Sequence, residues 1–145
     1  MSRPPVAVVI GAGDATGGAV ARRFAREGFP LCVTRRNADS LSPLVDAIRA
    51  EGAEAYPFGC DARDEERVIE LFNHIESTIG EIEVVVFNIG ANVRFSITET
   101  TGRVYRKVWE MAALAGFLAG REAARVMLPR NRGTIILTGA TASLR

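Results

Sequence analysis

The sequence predicts an α/β domain built on a doubly wound parallel sheet, and three observations predict it. Strand-like and helix-like segments alternate from Val6 to Thr138. The strand-like runs are continuous and rich in β-branched residues, the pattern of strands buried on both faces rather than of a half-exposed sheet. Every connection is short except the one after Gly90, so successive strands are joined through helices, as parallel strands require.

The first run, Val6 to Ile10 (VAVVI), is a buried strand. Gly17 to Gly28 follows as a helix with Val20 and Phe24 inward and Arg22, Arg23 and Arg26 outward, and Gly28 ends it. Phe29 to Thr34 is the second strand. Leu41, Leu44, Val45 and Ile48 recur at helical spacing up to Gly52, and Ala53 to Phe58 gives a third strand. Val68, Leu71, Phe72, Ile75 and Ile79 mark the inner face of the next helix, closed by Gly80. Ile82 to Phe87 is the fourth strand, ended by Asn88, Ile89 and Gly90. A polar loop, Ala91 to Thr101, leads into a long helix from about Gly102 to Leu128, and Gly133 to Thr138 forms a fifth strand. Right-handed crossovers place the strands in the order 3-2-1-4-5 with helices on both faces, one domain over residues 1–145.

Composition narrows the function. A 48% hydrophobic and 24% charged chain with a net charge of +1 has no field that would draw nucleic acid or a membrane surface. Its longest largely apolar stretch, Met111 to Gly120, is shorter than the roughly twenty residues that span a bilayer. Met1 to Pro5 does not read as a secretion signal, so a cytoplasmic location is expected. Cys32 and Cys60 read as isolated core thiols, and no Cys/His spacing suggests a metal. The only histidine, His74, falls about 200° from Phe72 around its helix, on the solvent side. Lys107 is the single lysine, which leaves little scope for a catalytic amine.

In such sheets ligands bind beyond the carboxyl ends of the strands, near the switch between strands one and four. Gly11 to Gly17, Arg35, Asp61 and Asn88 to Gly90 all fall at such ends. Gly11, Gly13 and Gly17 let the backbone turn sharply and approach a pyrophosphate, while the amides opening the next helix offer free donors and a partial positive charge. About twenty residues on, where an Asp or Glu would hold a ribose 2′-hydroxyl, the chain has Thr34, Arg35 and Arg36. Two guanidinium groups suit a 2′-phosphate and favour NADP(H) over NAD(H); solvated surface arginines are the other reading.

These residues resemble the short-chain dehydrogenase/reductase family from about Val6 to the last residue. GAGDATG, Gly11 to Gly17, is similar to that family's TGxxxGxG turn, with Ile10 at the Thr and Ala15 at the middle glycine. Asp61, in CDARD, matches the Asp that bonds the adenine amino group, and Asn88 and Gly90 in FNIG match the end of an NNAG signature from which Phe87 and Ile89 depart. The resemblance implies a Rossmann-type fold and a cofactor site made by Gly11, Gly13, Asp14, Ala15, Thr16, Gly17, Arg35, Arg36, Asp61, Ala62, Asn88, Ile89 and Gly90. It also implies a small carbonyl or alcohol substrate, and pairing of subunits through the long helix 102–128.

The catalytic group departs from that pattern. The family works with Asn, Ser, Tyr and Lys, the Tyr acting as general acid/base. Here Ala112 holds the Asn position and Ala140 the Ser position, Ser143 is out of register, and the YxxxK helix lies beyond Arg145. Neither Tyr56 nor Tyr105 has a lysine four residues on. Asn92, Arg94 and Ser96 either face a substrate or belong to a polar surface loop. Ala112, Gly116, Gly120 and Ala124 form a strip without bulk, packed either on a neighbouring helix, within or between chains, or on its own sheet. Two functions follow: the cofactor-binding portion of an NADP(H)-dependent oxidoreductase, inactive as this chain alone, or an NADP(H)-binding scaffold or sensor without chemistry. A methyltransferase would need an acid after the second strand, where Arg35 and Arg36 stand.

Overall fold

The computed structural model describes residues 3–90 and 93–140. Five parallel strands, β1 (Pro5–Ile10), β2 (Leu31–Arg35), β3 (Ala55–Gly59), β4 (Glu81–Phe87) and β5 (Thr134–Leu137), form one sheet in the order β3-β2-β1-β4-β5, the order the sequence predicts. Residues Val6 to Ile10 of β1 are fully buried because the strand has a neighbour on each edge and a helical layer on each face. Its side chains alternate accordingly. Ala7 and Val9 join one core with Ala21, Ala25, Val33, Leu44, Val45 and Ile48, under helices α1 (Thr16–Arg26) and α2 (Ser42–Ala50). Val6, Val8 and Ile10 join the other with Leu71, Phe72, Ile75, Val85, Leu118 and Ala119, under helices α3 (Glu65–Thr78) and α5 (Ala115–Met127). Each large side chain removed from water in these layers contributes about 1.5–3 kcal/mol.

Local chemistry sets the helix starts. Asp64 caps α3 by accepting the Arg67 N–H at 3.2 Å, and Glu65 and Glu66 in the first turn complement the helix dipole. Helix α4 (Gly102–Trp109) is capped by the Thr101 hydroxyl, which accepts the Val104 N–H at 3.3 Å. A 3-10 turn, Ala38–Leu41, leads into α2.

Three features differ from expectation. The buried stripe of α1 is Gly17, Gly18, Ala21 and Ala25, while Val20 and Phe24 are half-buried at its margin. Small side chains let the helix lie close on β1, and the larger ones pack where space opens, Phe24 edge-on to Phe29 at 5.7 Å. The long helix is interrupted between α4 and α5 by one π-helical turn, Glu110–Leu114, which shifts the faces of the helix that follows. Strand β5 is exposed along its whole length, Leu137 at 60%, because it is the sheet's edge and α5 covers it only lightly. His74 is exposed, and Cys32 and Cys60 are buried and free, all as the sequence predicts. No helix among the described residues is long and apolar enough to cross a membrane.

Candidate functional site

The site begins where β1 ends. Gly11 has φ +85°, and a Cβ there would lie 2.5 Å from the Asn88 carbonyl oxygen, so only glycine fits between β1 and the end of β4. A Cβ on Gly17 would lie 2.3 Å from the Gly11 carbonyl oxygen, which leaves the first turn of α1 directly against the strand end. The Gly11 and Ala12 amides both donate to the Thr34 carbonyl at 3.1 Å, and the Asn88 amide donates to the Ile10 carbonyl at 2.8 Å. Asn88 Nδ2 also donates to the Gly11 carbonyl at 3.3 Å. The ends of β1, β2 and β4 are thereby tied around one glycine-rich turn.

The turn is built to leave donors unused. The first hydrogen bond of α1 runs from the Ala19 N–H to the Ala15 carbonyl at 3.0 Å, so the amides of Thr16, Gly17 and Gly18 lie ahead of the helical ladder. Ala15 at the N-cap has no side-chain acceptor for them, and no acidic residue occupies the first turn. A Cβ on Gly13 would meet nothing within 4 Å, so the turn faces open space there. Amides at a helix start, with about half a unit of positive charge from the helix dipole, are a receptor for an oxyanion.

Beside the turn, a cavity of about 150 Å³ is lined by Gly11, Thr34, Arg35, Arg36, Cys60, Asp61, Ala62, Arg63, Ile89, Met111 and Ala115. Arg35 ends β2 and Arg36 follows it, and neither guanidinium is ion-paired among the described residues. Asp61, at the end of the β3 segment, is held differently. Its Oδ1 accepts the Arg63 amide at 3.1 Å and Arg63 Nε at 3.0 Å, and its Oδ2 accepts Arg63 Nη2 at 2.7 Å. Those side-chain hydrogen bonds hold the Asp61 carboxyl below its ordinary value against the opposing effect of burial, and the charge of Arg36 adds to them. Burial pushes the Cys60 thiol up to about 11 and the Cys32 thiol up to about 12, so both are neutral near pH 7.

The structure therefore brings the expected residues together in two adjoining groups. Gly11, Arg35, Arg36, Asp61, Ala62 and Ile89 line the cavity, and Gly13, Asp14, Ala15, Thr16 and Gly17 form the turn beside it. Asn88 buttresses Gly11 from β4, and Gly90 is exposed beyond that strand. Arg63, Met111 and Ala115 also line the cavity, and the sequence reading did not place them there. Arg63 could have been suspected from its place two residues after Asp61, where a short polar turn brings a side chain back to the carboxylate. Met111 lies in the π-helical turn and Ala115 directly follows it, and the periodicity holds no signal for that turn.

The catalytic positions contribute no polar side chain. Ala112 and Ala113 are exposed and line a separate groove with Phe87, Ile89, Gly116, Phe117, Gly120 and Leu137, and Ala140 is exposed after β5. Ser96 spends its hydroxyl within its own loop, on Glu99 at 2.9 Å and Thr98 at 3.2 Å, and Arg94 is exposed, as in a polar surface loop. Asn92 and Ser143 lie outside the described residues. A Cβ on Gly116 would touch the Phe87 ring at 3.4 Å, whereas one on Gly120 would meet nothing within 4 Å. Close packing on its own sheet thus accounts for Gly116 and not for Gly120.

Residues 5–145 match the family model described as short chain dehydrogenase. A gluconate 5-dehydrogenase of Gluconobacter oxydans is 32% identical over 130 residues, which cover 90% of this chain and 51% of that protein. The crystal structure of a short-chain dehydrogenase from Rhodopseudomonas palustris superposes with a TM-score of 0.92 at 50% identity, over 97% of this chain and 66% of that one. An actinorhodin polyketide ketoreductase solved with NADPH gives a TM-score of 0.92 at 26% identity, over 100% of this chain and 57% of that one. The chain spans about half the length of the curated relatives it matches.

Proposed function

The chain belongs to the short-chain dehydrogenase family, and from that we propose that it is the NADP(H)-binding portion of an oxidoreductase acting on a small carbonyl or alcohol. The observation that carries the choice of cofactor is the pair of guanidinium groups, Arg35 and Arg36, which line the cavity without a carboxylate partner beside a helix start whose amides are unused. Unpaired cations at a cavity wall favour an anionic ligand, and arginine's planar fork matches phosphate. In this reading the diphosphate lies on the turn at Gly13 to Gly17, the 2′-phosphate on Arg35 and Arg36, and the adenine amino group on Asp61. Ala62, Ile89 and Gly90 contribute backbone and apolar walls. The similarity to a ketoreductase solved with NADPH supports the same choice.

The residues present fit such a cofactor: the open face at Gly13 and the absence of any acid in the first turn of α1 leave room and positive potential for phosphates. A bound nicotinamide would supply or accept the hydride. The protein's own part is to bind and orient, because Ala112 and Ala140 offer no hydroxyl or amide to a reacting carbonyl. Neither position can therefore donate or accept the proton of the reaction. Ala112 and Ala140 are also the sole support for the alternative of a cofactor-binding scaffold without chemistry. Self-association through helix 102–128 belongs to the same proposal, with Gly120 the position its own sheet leaves uncovered.

Calorimetric titration with NADPH and NADH tests the reading. Charge-assisted hydrogen bonds contribute about 1.5–3 kcal/mol each, so NADPH should bind at least tenfold tighter, and the Arg35→Ala/Arg36→Ala double variant should lose that preference. Equal affinities in the unaltered protein would overturn it.

A further inference from the structure

The Asp61 carboxylate has four lone-pair positions and three are taken. The Arg63 amide and Nε fill both positions of Oδ1, and Nη2 takes one on Oδ2, so one acceptor position on Oδ2 remains at the cavity wall. The two parallel guanidinium contacts also stop the carboxylate from turning about its Cβ–Cγ bond, since rotation would break both. Glu110, on the π-helical turn, adds attraction that favours the charged Arg63. No other residue bonds the Asp61 side chain among the described residues.

We propose that Arg63 is a positioning residue for base recognition, presenting Asp61 as an acceptor with a single free place and so selecting a purine that carries an exocyclic amino group. An amino group at that place donates a hydrogen bond. A carbonyl there, as in hypoxanthine, sets oxygen against a carboxylate that Arg63 keeps ionised and cannot rotate away. A site built around a buried or fixed hydrogen bond rejects the analogue that lacks the partner far more strongly than it rewards added bulk. The inference rests on the NADP(H) reading, in which Asp61 meets the adenine amino group, and adds a residue to it: Arg63, which fixes the Asp61 carboxylate and so sets how strongly the base is discriminated.

The test compares binding of NADPH with that of its hypoxanthine counterpart, deamino-NADPH, in the unaltered chain, Arg63→Met and Arg63→Lys. The unaltered chain should prefer NADPH by about tenfold or more. Arg63→Met frees the carboxylate to rotate and should reduce the preference to threefold or less, while the preference for NADPH over NADH persists. Arg63→Lys keeps a charge without the fork and should give an intermediate preference, which carries the test should Arg63→Met fail to fold. Equal binding of the two purines by the unaltered chain, or undiminished selectivity in either variant, overturns the role of Arg63 and leaves the NADP(H) reading standing. Failure of the unaltered chain to bind NADPH overturns both.

Discussion

Asn88 grips Gly11 from the neighbouring strand: its side-chain amide donates to the Gly11 carbonyl at 3.3 Å, and its own carbonyl oxygen stands 2.5 Å from where a Gly11 Cβ would be. The pair fixes the mouth of the sheet at the switch between β1 and β4, and it divides the glycines of the turn by role. Gly11 and Gly17 are demanded by the fold, whereas Gly13 faces open space and carries no such packing constraint.

Gly17→Ala should therefore fail as a folding change, because its Cβ meets backbone at 2.3 Å and backbone cannot yield as a side-chain tip would. A lost or strongly lowered thermal transition is expected. Gly13→Ala should keep the unfolding transition of the unaltered protein and weaken NADPH binding by tenfold or more. A Gly13→Ala protein that binds NADPH normally would separate the phosphates from this turn.

The Asp61–Arg63 pair sets a pH dependence. The folded carboxyl lies below its ordinary value of 3.8, so its contribution to stability is fully present above about pH 4 and is lost as the pH falls through the lowered folded value. Because the Asp61 side chain is 38% exposed, solvent screening keeps the effect below about 1 kcal/mol. Urea unfolding of the unaltered chain and Arg63→Met should differ at pH 7 and converge as the pH falls below the lowered folded value. A difference that stays constant with pH would contradict the assignment.

The buried thiols should be inert. With Cys60 pushed up to about 11 and Cys32 up to about 12, a disulfide reagent at pH 8 should label neither in the folded chain and both in urea. Rapid labelling of the native protein would mean that the cavity wall at Cys60 opens.

The strip on α5 separates in the same way. Gly120→Ala should raise stability by about 0.5–1 kcal/mol through helix propensity, since its Cβ meets nothing, while Gly116→Leu should lower it by about 1–3 kcal/mol by crowding Phe87. Light scattering on the unaltered chain and both variants reports whether the chain self-associates and whether either change alters it. Loss of stability or of any self-association in Gly120→Ala would reveal a second surface closing on that residue.

How much of this was legible varies with the physical signal. The sheet order was readable because runs such as Val6 to Ile10 and Ile82 to Phe87 are apolar without alternation, and chain direction and crossover hand then admit few topologies. The same topology gathers Gly11, Arg35, Asp61 and Ile89 at one mouth, although they are far apart in sequence. The inner face of α1 follows fit rather than side-chain size, which periodicity alone does not encode: Ala21 and Ala25 are buried and the bulkier Val20 and Phe24 are not fully so. Arg63, Met111 and Ala115 depended on where a turn and a π-helical register send side chains, which periodicity does not encode. Glu122 likewise has no sequence signature: a carboxylate 2% exposed on α5, made tolerable by Arg121 at 2.9 Å and Arg125 at 3.2 Å.

A crystal structure of this chain grown with saturating NADPH tests the central claim most directly. The account predicts the diphosphate against the amides between Gly13 and Gly18, the 2′-phosphate between Arg35 and Arg36, and the adenine amino group on Asp61 Oδ2. Density for the cofactor elsewhere, or a bare β1–α1 turn at full saturation in solution, would contradict it.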